Sequence, residues 1–120
     1  MRWAAHNGEI NTIRGNKNWM RSREGNLASS KFGDELELLY PIVENGGSDS
    51  AAFDNVLELL VVNGVVTLPE AVMMLVPEAW QNNPSMDKEK AAFYQWSSCL
   101  MEPYDGPQVS LYNPHHGRRD

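Results

Sequence analysis

The sequence predicts a small α/β (α+β) structure in which helices predominate over strands. Apolar residues recur at helical spacing in several segments between residues 11 and 100. Short β-compatible segments lie at residues 2–6 and 109–112, and Gly, Pro or Asn separate the segments from one another. Because a sheet is implied but most of its strands are missing, we expect these 120 residues to be a piece of a larger α/β domain.

The first elements are predicted to be a strand, a helix and a second, shorter helix. Residues 2–6 lead into Asn7-Gly8, a dipeptide typical of turns. A helix is predicted over residues 11–24, with Gly25 as its C-terminal stop. Asp34 would be the N-cap of the shorter helix, and Glu37 would complete its capping box. The inward-facing residues of this short helix would be Leu36, Leu39, Tyr40 and Val43.

The most regular helical pattern follows a polar loop at residues 45–50. Asn63-Gly64 ends this predicted helix. Its apolar positions recur every three or four residues and are Phe53, Val56, Leu57, Leu60 and Val61. Thr67 and Glu70 form a second capping box, before an apolar helix at residues 71–76 that we expect to be buried.

The last helix is predicted to begin at an Asp87 cap and to bury one apolar face. That face would contain Ala92, Phe93, Trp96 and Leu100, with Cys99 beside them as a buried, inert thiol. Residues 109–112 alternate like the start of a strand, and residues 113–120 are predicted to be unstructured.

Composition limits the class of function. The net charge is −6, no apolar run is long enough to span a bilayer, and one Cys excludes an internal disulfide or a multi-cysteine metal site. Residues 1–31 are basic, whereas residues 32–87 hold ten acids and no base. This contrast is either a solvated acidic face beside a basic helix, or a contact surface for another domain. The short basic segment in an acidic chain argues against nucleic-acid binding.

Two short motifs are candidates for chemistry. Asn7-Gly8 after an apolar segment is either a turn or an oxyanion hole, in which an Asn amide and a Gly N–H point at one oxygen. In Ser48-Asp49-Ser50, a serine is either simply the cap of the next helix, or Asp49 is a carboxylate that binds an ammonium group. The residues of each motif are compatible with both of its interpretations.

Longer strings carry a resemblance to the glutamine amidotransferase type 2 domain of the large, glutamine-dependent glutamate synthases. These strings extend over roughly residues 2–108: AHNGEINTIRGN at 5–16, NWMRSREG at 18–25, GSDSA at 47–51, DNVLELL at 54–60, LPEAVMM at 68–74, PEAW at 77–80 and SCLMEPYDGP at 98–107. The sequence is therefore expected to divide into a partial amidotransferase domain at 1–108 and a divergent or disordered tail at 109–120.

The resemblance implies a fold and a reaction. The fold would be part of the four-layer αββα arrangement of N-terminal-nucleophile hydrolases, mostly its helical portion. An N-terminal Cys attacks the side-chain amide of glutamine, and its own α-amino group acts as base. By resemblance, Asn7 and Gly8 match the oxyanion-hole pair, with Gly8 also at the substrate, and Asp49 matches the residue that binds the α-amino group of L-glutamine.

The sequence also departs from the family pattern. It begins with Met1, so we expect these residues to be inactive without a nucleophile supplied from elsewhere. The resemblance implies FMN and an iron–sulfur cluster in the complete enzyme, with no cofactor and no metal in this segment. The partners would be L-glutamine and the remaining domains, in the cytoplasm or a plastid. The alternative is a non-catalytic binding or scaffolding module derived from this domain.

Overall fold

A computed structural model describes residues 4–64, 66–106 and 108–112. In chain order the elements are β1 (Ala4–Gly8), α1 (Ile13–Arg23), α2 (Asp49–Val62), α3 (Leu68–Leu75), α4 (Lys88–Leu100) and β2 (Gln108–Tyr112). Short 3₁₀ helices occupy Glu24–Asn26 and Gly33–Leu39. The predicted mixture of strands with predominating helices is confirmed for these residues. The tail predicted at 113–120 lies outside the residues that the structure describes.

The two strands pair although they lie about a hundred residues apart in the sequence. They are antiparallel, with Ala4 opposite Tyr112 and Gly8 opposite Gln108. Residues 4–6 and 109–112 of the two β-compatible segments are therefore confirmed as parts of strands, and residues 2 and 3 lie outside the described residues. Asn7 and Gly8 belong to β1 and pair with β2, so their interpretation as a turn is wrong: pairing with a distant strand holds this dipeptide in the sheet.

The core is built around α2. Its buried apolar residues are Ala52, Phe53, Val56, Leu57 and Leu60, and those of α3 are Ala71, Met74 and Leu75. Ile10, Met20 and Tyr104 complete the core from the loop after β1, from α1 and from the segment after α4. Burying a large aliphatic side chain stabilises a fold by roughly 1.5–3 kcal/mol, so α2 and α3 make a large contribution to the hydrophobic stabilisation of the described residues.

Helix starts agree well with the sequence predictions. The Ser48 hydroxyl accepts the Ala51 N–H at 3.2 Å and caps α2. The Thr67 N–H donates to Glu70 Oε2 at 2.7 Å before α3, as a capping box requires. Asp87 Oδ1 accepts the N–H groups of residues 89 and 90 at the start of α4. Gly64, with φ of +67°, lies beyond the end of α2, where the left-handed backbone favours glycine.

The short helix at Gly33–Leu39 differs from its prediction. It is a 3₁₀ helix whose N-cap is Phe32, with no side-chain cap, so Asp34 is not the capping residue. Leu36 is buried as predicted, and Tyr40 and Val43 are half-buried against the core, but Leu39 is exposed. The predicted inward face is therefore wrong at Leu39 only.

The buried face predicted for α4 is wrong in part: Phe93 and Leu100 pack half-buried against the core, but Ala92 is exposed. Tyr94 and Ser97 are its buried residues, whereas Trp96 is 48% exposed and Cys99 is exposed. The Ser97 hydroxyl donates to the Tyr94 carbonyl at 3.0 Å, which satisfies a polar group that hydrophobicity alone would place outside. None of the described helices has the length and hydropathy that a membrane-spanning helix needs.

Candidate functional site

Asn7 and Gly8 lie at the end of β1, and both are exposed. Gly8 has a φ of +128°, in a region that residues with a side chain rarely adopt. The strand pairing through Asn7–Val109 and Gly8–Gln108 fixes the backbone at this point. An exposed amide side chain and a glycine backbone are therefore held next to each other where a ligand can reach them.

The segment that follows Gly8 is held by the segment that follows α4. The Asn11 N–H donates to the Asp105 carbonyl at 2.7 Å, and the Asp105 N–H donates to Thr12 Oγ1 at 3.0 Å. A Cβ on Gly106 would lie 2.1 Å from the Glu9 carbonyl oxygen. Only glycine allows so close an approach of two backbones, which fixes the position of the loop beside Asn7-Gly8.

Asn16 is a further residue of this region, and the sequence analysis assigned it no role. It is 3% exposed, and its Nδ2 donates to the Pro103 and Glu102 carbonyls at 2.9 and 3.2 Å. Its Oδ1 accepts the Thr12 hydroxyl at 2.8 Å. Asn16 thus joins α1 to the segment after α4. The sequence shows only that a polar residue lies in a predicted helix near the candidate site residues. That signal does not distinguish a buried Asn, which joins two segments, from an exposed one.

Asp49 is the first residue of α2, directly after the Ser48 cap. The capping interpretation of this motif is confirmed for Ser48, and it leaves the Asp49 carboxylate available for another partner. Lys17 Nζ on α1 lies 3.8 Å from Asp49 Oδ1, and the Asp49 side chain is 39% exposed. The helix dipole favours a carboxylate at this position, so Asp49 is an accessible acidic group suited to a cationic partner.

A buried hydrogen bond connects the two elements that carry these candidate residues. The Ala4 N–H of β1 donates to Asp54 Oδ1 of α2 at 2.7 Å, and Asp54 is 4% exposed. Asp49 precedes Asp54 by about one and a half helical turns, and Gly8 follows Ala4 along the same strand. The fold thus anchors the Asn7-Gly8 strand to the Asp49 helix, and the bond itself involves none of the candidate residues.

The segment after α4 is buried against α2. The Tyr104 ring meets the Phe53 ring edge-on with 5.1 Å between centroids, and the Tyr104 N–H donates to the Leu75 carbonyl at 2.7 Å. Burial raises the pKa of the Tyr104 phenol far above its ordinary value. Tyr104 is thus a neutral core residue that places the next residue, Asp105, beside Thr12.

Cys99 does not contribute to this arrangement. Its thiol is exposed on α4 and lies 3.5 Å from the Gln95 carbonyl oxygen. Its own carbonyl accepts a hydrogen bond from Arg23 at 2.9 Å. The predicted burial of this thiol is wrong. Among the described residues, no group of three or more His, Cys, Asp or Glu side chains is arranged to hold a metal ion.

Comparison with known proteins identifies relatives. Residues 1–115 match the family described as class-II glutamine amidotransferases. The chain is 69% identical over 112 residues to a Glutamate synthase [NADH] of Schizosaccharomyces pombe and 67% identical over 112 residues to that of Saccharomyces cerevisiae. It is 52% identical over 106 residues to the Glutamate synthase [NADPH] large chain of Bacillus subtilis.

These matches cover most of the chain and little of each relative. They include 93% of the chain for both yeast proteins and 88% for the bacterial one. The chain spans 5% of the length of each yeast relative and 7% of the bacterial one.

Proposed function

The chain belongs to the class-II glutamine amidotransferases, and on this basis we propose that it forms part of the glutaminase domain of a glutamate synthase. The observation that carries the proposal is the 69% identity to one such enzyme over 93% of the chain. The complete enzyme would release ammonia from L-glutamine and deliver it to 2-oxoglutarate. The described helices and two paired strands would then form part of a four-layer αββα fold completed by other segments.

In the proposed reaction the sulfur of an N-terminal Cys, supplied by the complete enzyme, bonds to the amide carbon of glutamine while the α-amino group of that Cys takes the thiol proton. The carbon–nitrogen bond then breaks, and the α-amino group passes this proton to the leaving nitrogen, which departs as ammonia. Water then hydrolyses the thioester and releases glutamate. We expect no glutaminase activity from the 120 residues alone, since their one thiol, Cys99, lies on α4 with no acid–base partner in the described contacts.

Asn7 and Gly8 would form the oxyanion hole. The Asn7 side-chain amide and the Gly8 N–H would donate to the oxygen of both tetrahedral intermediates. Their exposure, the unusual φ of Gly8 and the pairing of their strand support this role. Removing one oxyanion donor typically lowers kcat by about 10²–10³-fold. The Asn7→Ala variant of the complete enzyme is therefore expected to lose that much kcat and to keep most of its affinity for glutamine.

Asp49 would bind the α-ammonium group of glutamine, as its position at the helix start and its accessibility support. The Asp49→Asn variant keeps the size of the side chain and removes its charge. It should raise the KM for glutamine by about tenfold or more, because a charge-assisted hydrogen bond is worth roughly 1.5–3 kcal/mol. An unchanged KM would exclude Asp49 from substrate binding.

An iron–sulfur cluster, which the family implies together with FMN for the complete enzyme, does not fit this segment. Such clusters are held by several Cys thiolates, and the sequence has a single Cys. No step of the proposed reaction therefore passes through these groups here. The remaining domains of the enzyme would be the partners of this segment and would hold both cofactors.

The first experiment is to purify the source protein and to measure its intact mass and N-terminal residue. A polypeptide many times larger than 13.5 kDa that begins with Cys and hydrolyses glutamine would support the proposal. A stable 13.5 kDa protein without glutaminase activity would contradict it. That second result would favour the non-catalytic binding or scaffolding module.

A further inference from the structure

Lys17 and Asp49 form a loose ion pair at the edge of the candidate glutamine site. The Lys17 ammonium lies 3.8 Å from Asp49 Oδ1, whereas a tight charge-assisted hydrogen bond is about 2.7–2.9 Å long. Their side chains are 35% and 39% exposed, so water and small ligands can reach both. The carboxylate thus has a cation nearby and free capacity to accept a closer one.

We propose that Lys17 is a positioning residue that occupies the Asp49 carboxylate when the site is empty and competes there with the α-ammonium group of the substrate. This inference rests on the proposed role of Asp49. A substrate ammonium bonded to Asp49 brings a second positive charge next to Lys17 Nζ. Since like charges at this separation repel, Lys17 must move away when glutamine binds.

The structure contains a place for the displaced lysine. Lys17 lines a polar recess of about 190 Å³ between α1 and the loop at residues 41–46. Glu24, Glu44 and one further cation, Arg21, line the same recess. Glu24 Oε1 already accepts the Ile42 N–H at 2.8 Å, which leaves Glu44 as the acidic group for the lysine. The long, flexible lysine stem allows Nζ to turn from Asp49 towards the Glu44 side of the recess.

The competition has the same effect on substrate and product. Glutamine and glutamate carry the same α-ammonium group, so Lys17 weakens the binding of both by the same factor. A lysine at this position therefore helps to release glutamate after thioester hydrolysis. Exposed ion pairs contribute roughly 0.2–1 kcal/mol, so we expect the factor to be about 1.4- to fivefold.

The test compares Lys17→Met with Lys17→Arg in the complete enzyme. Lys17→Met removes the competing charge and keeps a long apolar stem. It should lower the KM for glutamine and the inhibition constant of glutamate by the same factor, about 1.4- to fivefold. Lys17→Arg keeps the cation and should leave both constants unchanged. Lys17→Gln is a second neutral variant, to be used if the Met variant does not fold.

An analogue without the α-amino group separates this effect from a general change of the site. Glutaramate has the amide and the carboxylate of glutamine but no ammonium group, so it does not compete with Lys17. Its inhibition constant should be the same in the wild type and in Lys17→Met. A parallel change for glutaramate would overturn the inference, because it would show that the substitution alters the pocket as a whole.

Asp49→Asn distinguishes failure of this inference from failure of the proposed function. If Asp49→Asn raises the KM for glutamine but Lys17→Met does not lower it, the inference about Lys17 is wrong and the role of Asp49 stands. If Lys17→Met raises the KM, the lysine orients Asp49 instead of competing for it, and the inference is again wrong. If Asp49→Asn leaves the KM unchanged, the proposed function of Asp49 itself fails.

Discussion

The backbone N–H of Ala4 donates a 2.7 Å hydrogen bond to Oδ1 of Asp54, a carboxylate that is almost completely buried. This bond joins β1, which carries Asn7 and Gly8, to α2, which begins at Asp49. A buried polar group is costly unless it is paired, so each partner depends on the other. The bond therefore couples the relative position of the two candidate site segments to the stability of the core.

Replacing Asp54 with Ala should destabilise the fold. The change leaves the buried Ala4 N–H without its acceptor, which costs about 1–3 kcal/mol. The measurement is urea unfolding of the chain followed by far-UV circular dichroism. Asp34→Ala is the matched control, since Asp34 is exposed and does not cap its 3₁₀ helix, and it should change the free energy of unfolding by less than about 0.5 kcal/mol. Equal effects of both substitutions would show that the Ala4–Asp54 bond does not stabilise the fold.

The capping box of α3 should make part of the stability depend on acid pH. Hydrogen bonds from the Thr67 backbone N–H and hydroxyl lower the pKa of Glu70 below its ordinary value of 4.5. A lowered pKa means that the ionised Glu70 stabilises the fold above pH 4.5 and that this contribution is lost as the pH falls through the lowered value.

Glu70→Gln should therefore flatten the loss of stability below pH 4.5. Melting temperatures measured at intervals between neutral and acid pH would show this, with the difference between wild type and variant largest at neutral pH. Thr67→Val removes the hydroxyl donor but keeps the backbone donor, so its effect should be intermediate. A constant difference at all pH values would argue against Glu70 ionisation as the cause.

Tyr104 should remain neutral where ordinary tyrosines ionise. Burial raises the pKa of its phenol above the usual 10.0, so at a pH between 10.0 and the raised pKa the phenol is neutral in the folded state and ionised in the unfolded state. Its contribution to stability is complete below pH 10 and is lost as the pH rises towards the raised pKa. Ultraviolet absorbance of tyrosinate during an alkaline titration should show a component from this phenol that appears only when the chain unfolds, in addition to the component from Tyr94, whose pKa burial also raises.

Tyr104→Phe identifies this phenol. The substitution keeps the ring that packs edge-on against Phe53, and it should remove the late component from the titration. Tyr40→Phe is the comparison, because Tyr40 is only half-buried, and it should leave the late component in place. Persistence of the late component in the Tyr104→Phe protein would contradict the assignment.

Local signals in the sequence were sufficient for some parts of the fold. Ser48, Thr67 and Asp87 begin helices as predicted, because a cap depends on bonds within three residues of itself. The face of α4 and the 3₁₀ geometry at Gly33–Leu39 depend on what packs against them, and hydrophobic spacing alone does not contain that information.

The same distinction applies to the candidate site. Asn7, Gly8 and Asp49 were identified by resemblance, since their local motifs also suit a turn and a cap. The burial of Asp54 and Asn16 depends on contacts at least 50 residues away in the chain. A search for caps, turns and periodicity therefore does not reveal the residues that hold the candidate site in position.

Gly106 should tolerate no side chain. The Cβ of an alanine would lie 2.1 Å from the Glu9 carbonyl oxygen, and the residue has a φ of +156°. Gly106→Ala must therefore displace the segment at residues 9–11, directly after Asn7-Gly8. We expect a stability loss of more than about 1 kcal/mol, as for alanine at other positions with unsuitable backbone geometry. In the complete enzyme we also expect a lower kcat for glutamine hydrolysis, because displaced oxyanion donors lose their alignment with the reacting oxygen.

Gly25→Ala is the matched control, since its Cβ would meet nothing within 4 Å, and it should change neither quantity appreciably. If Gly106→Ala lowers stability but leaves kcat intact, this backbone contact supports the fold without positioning Asn7 and Gly8.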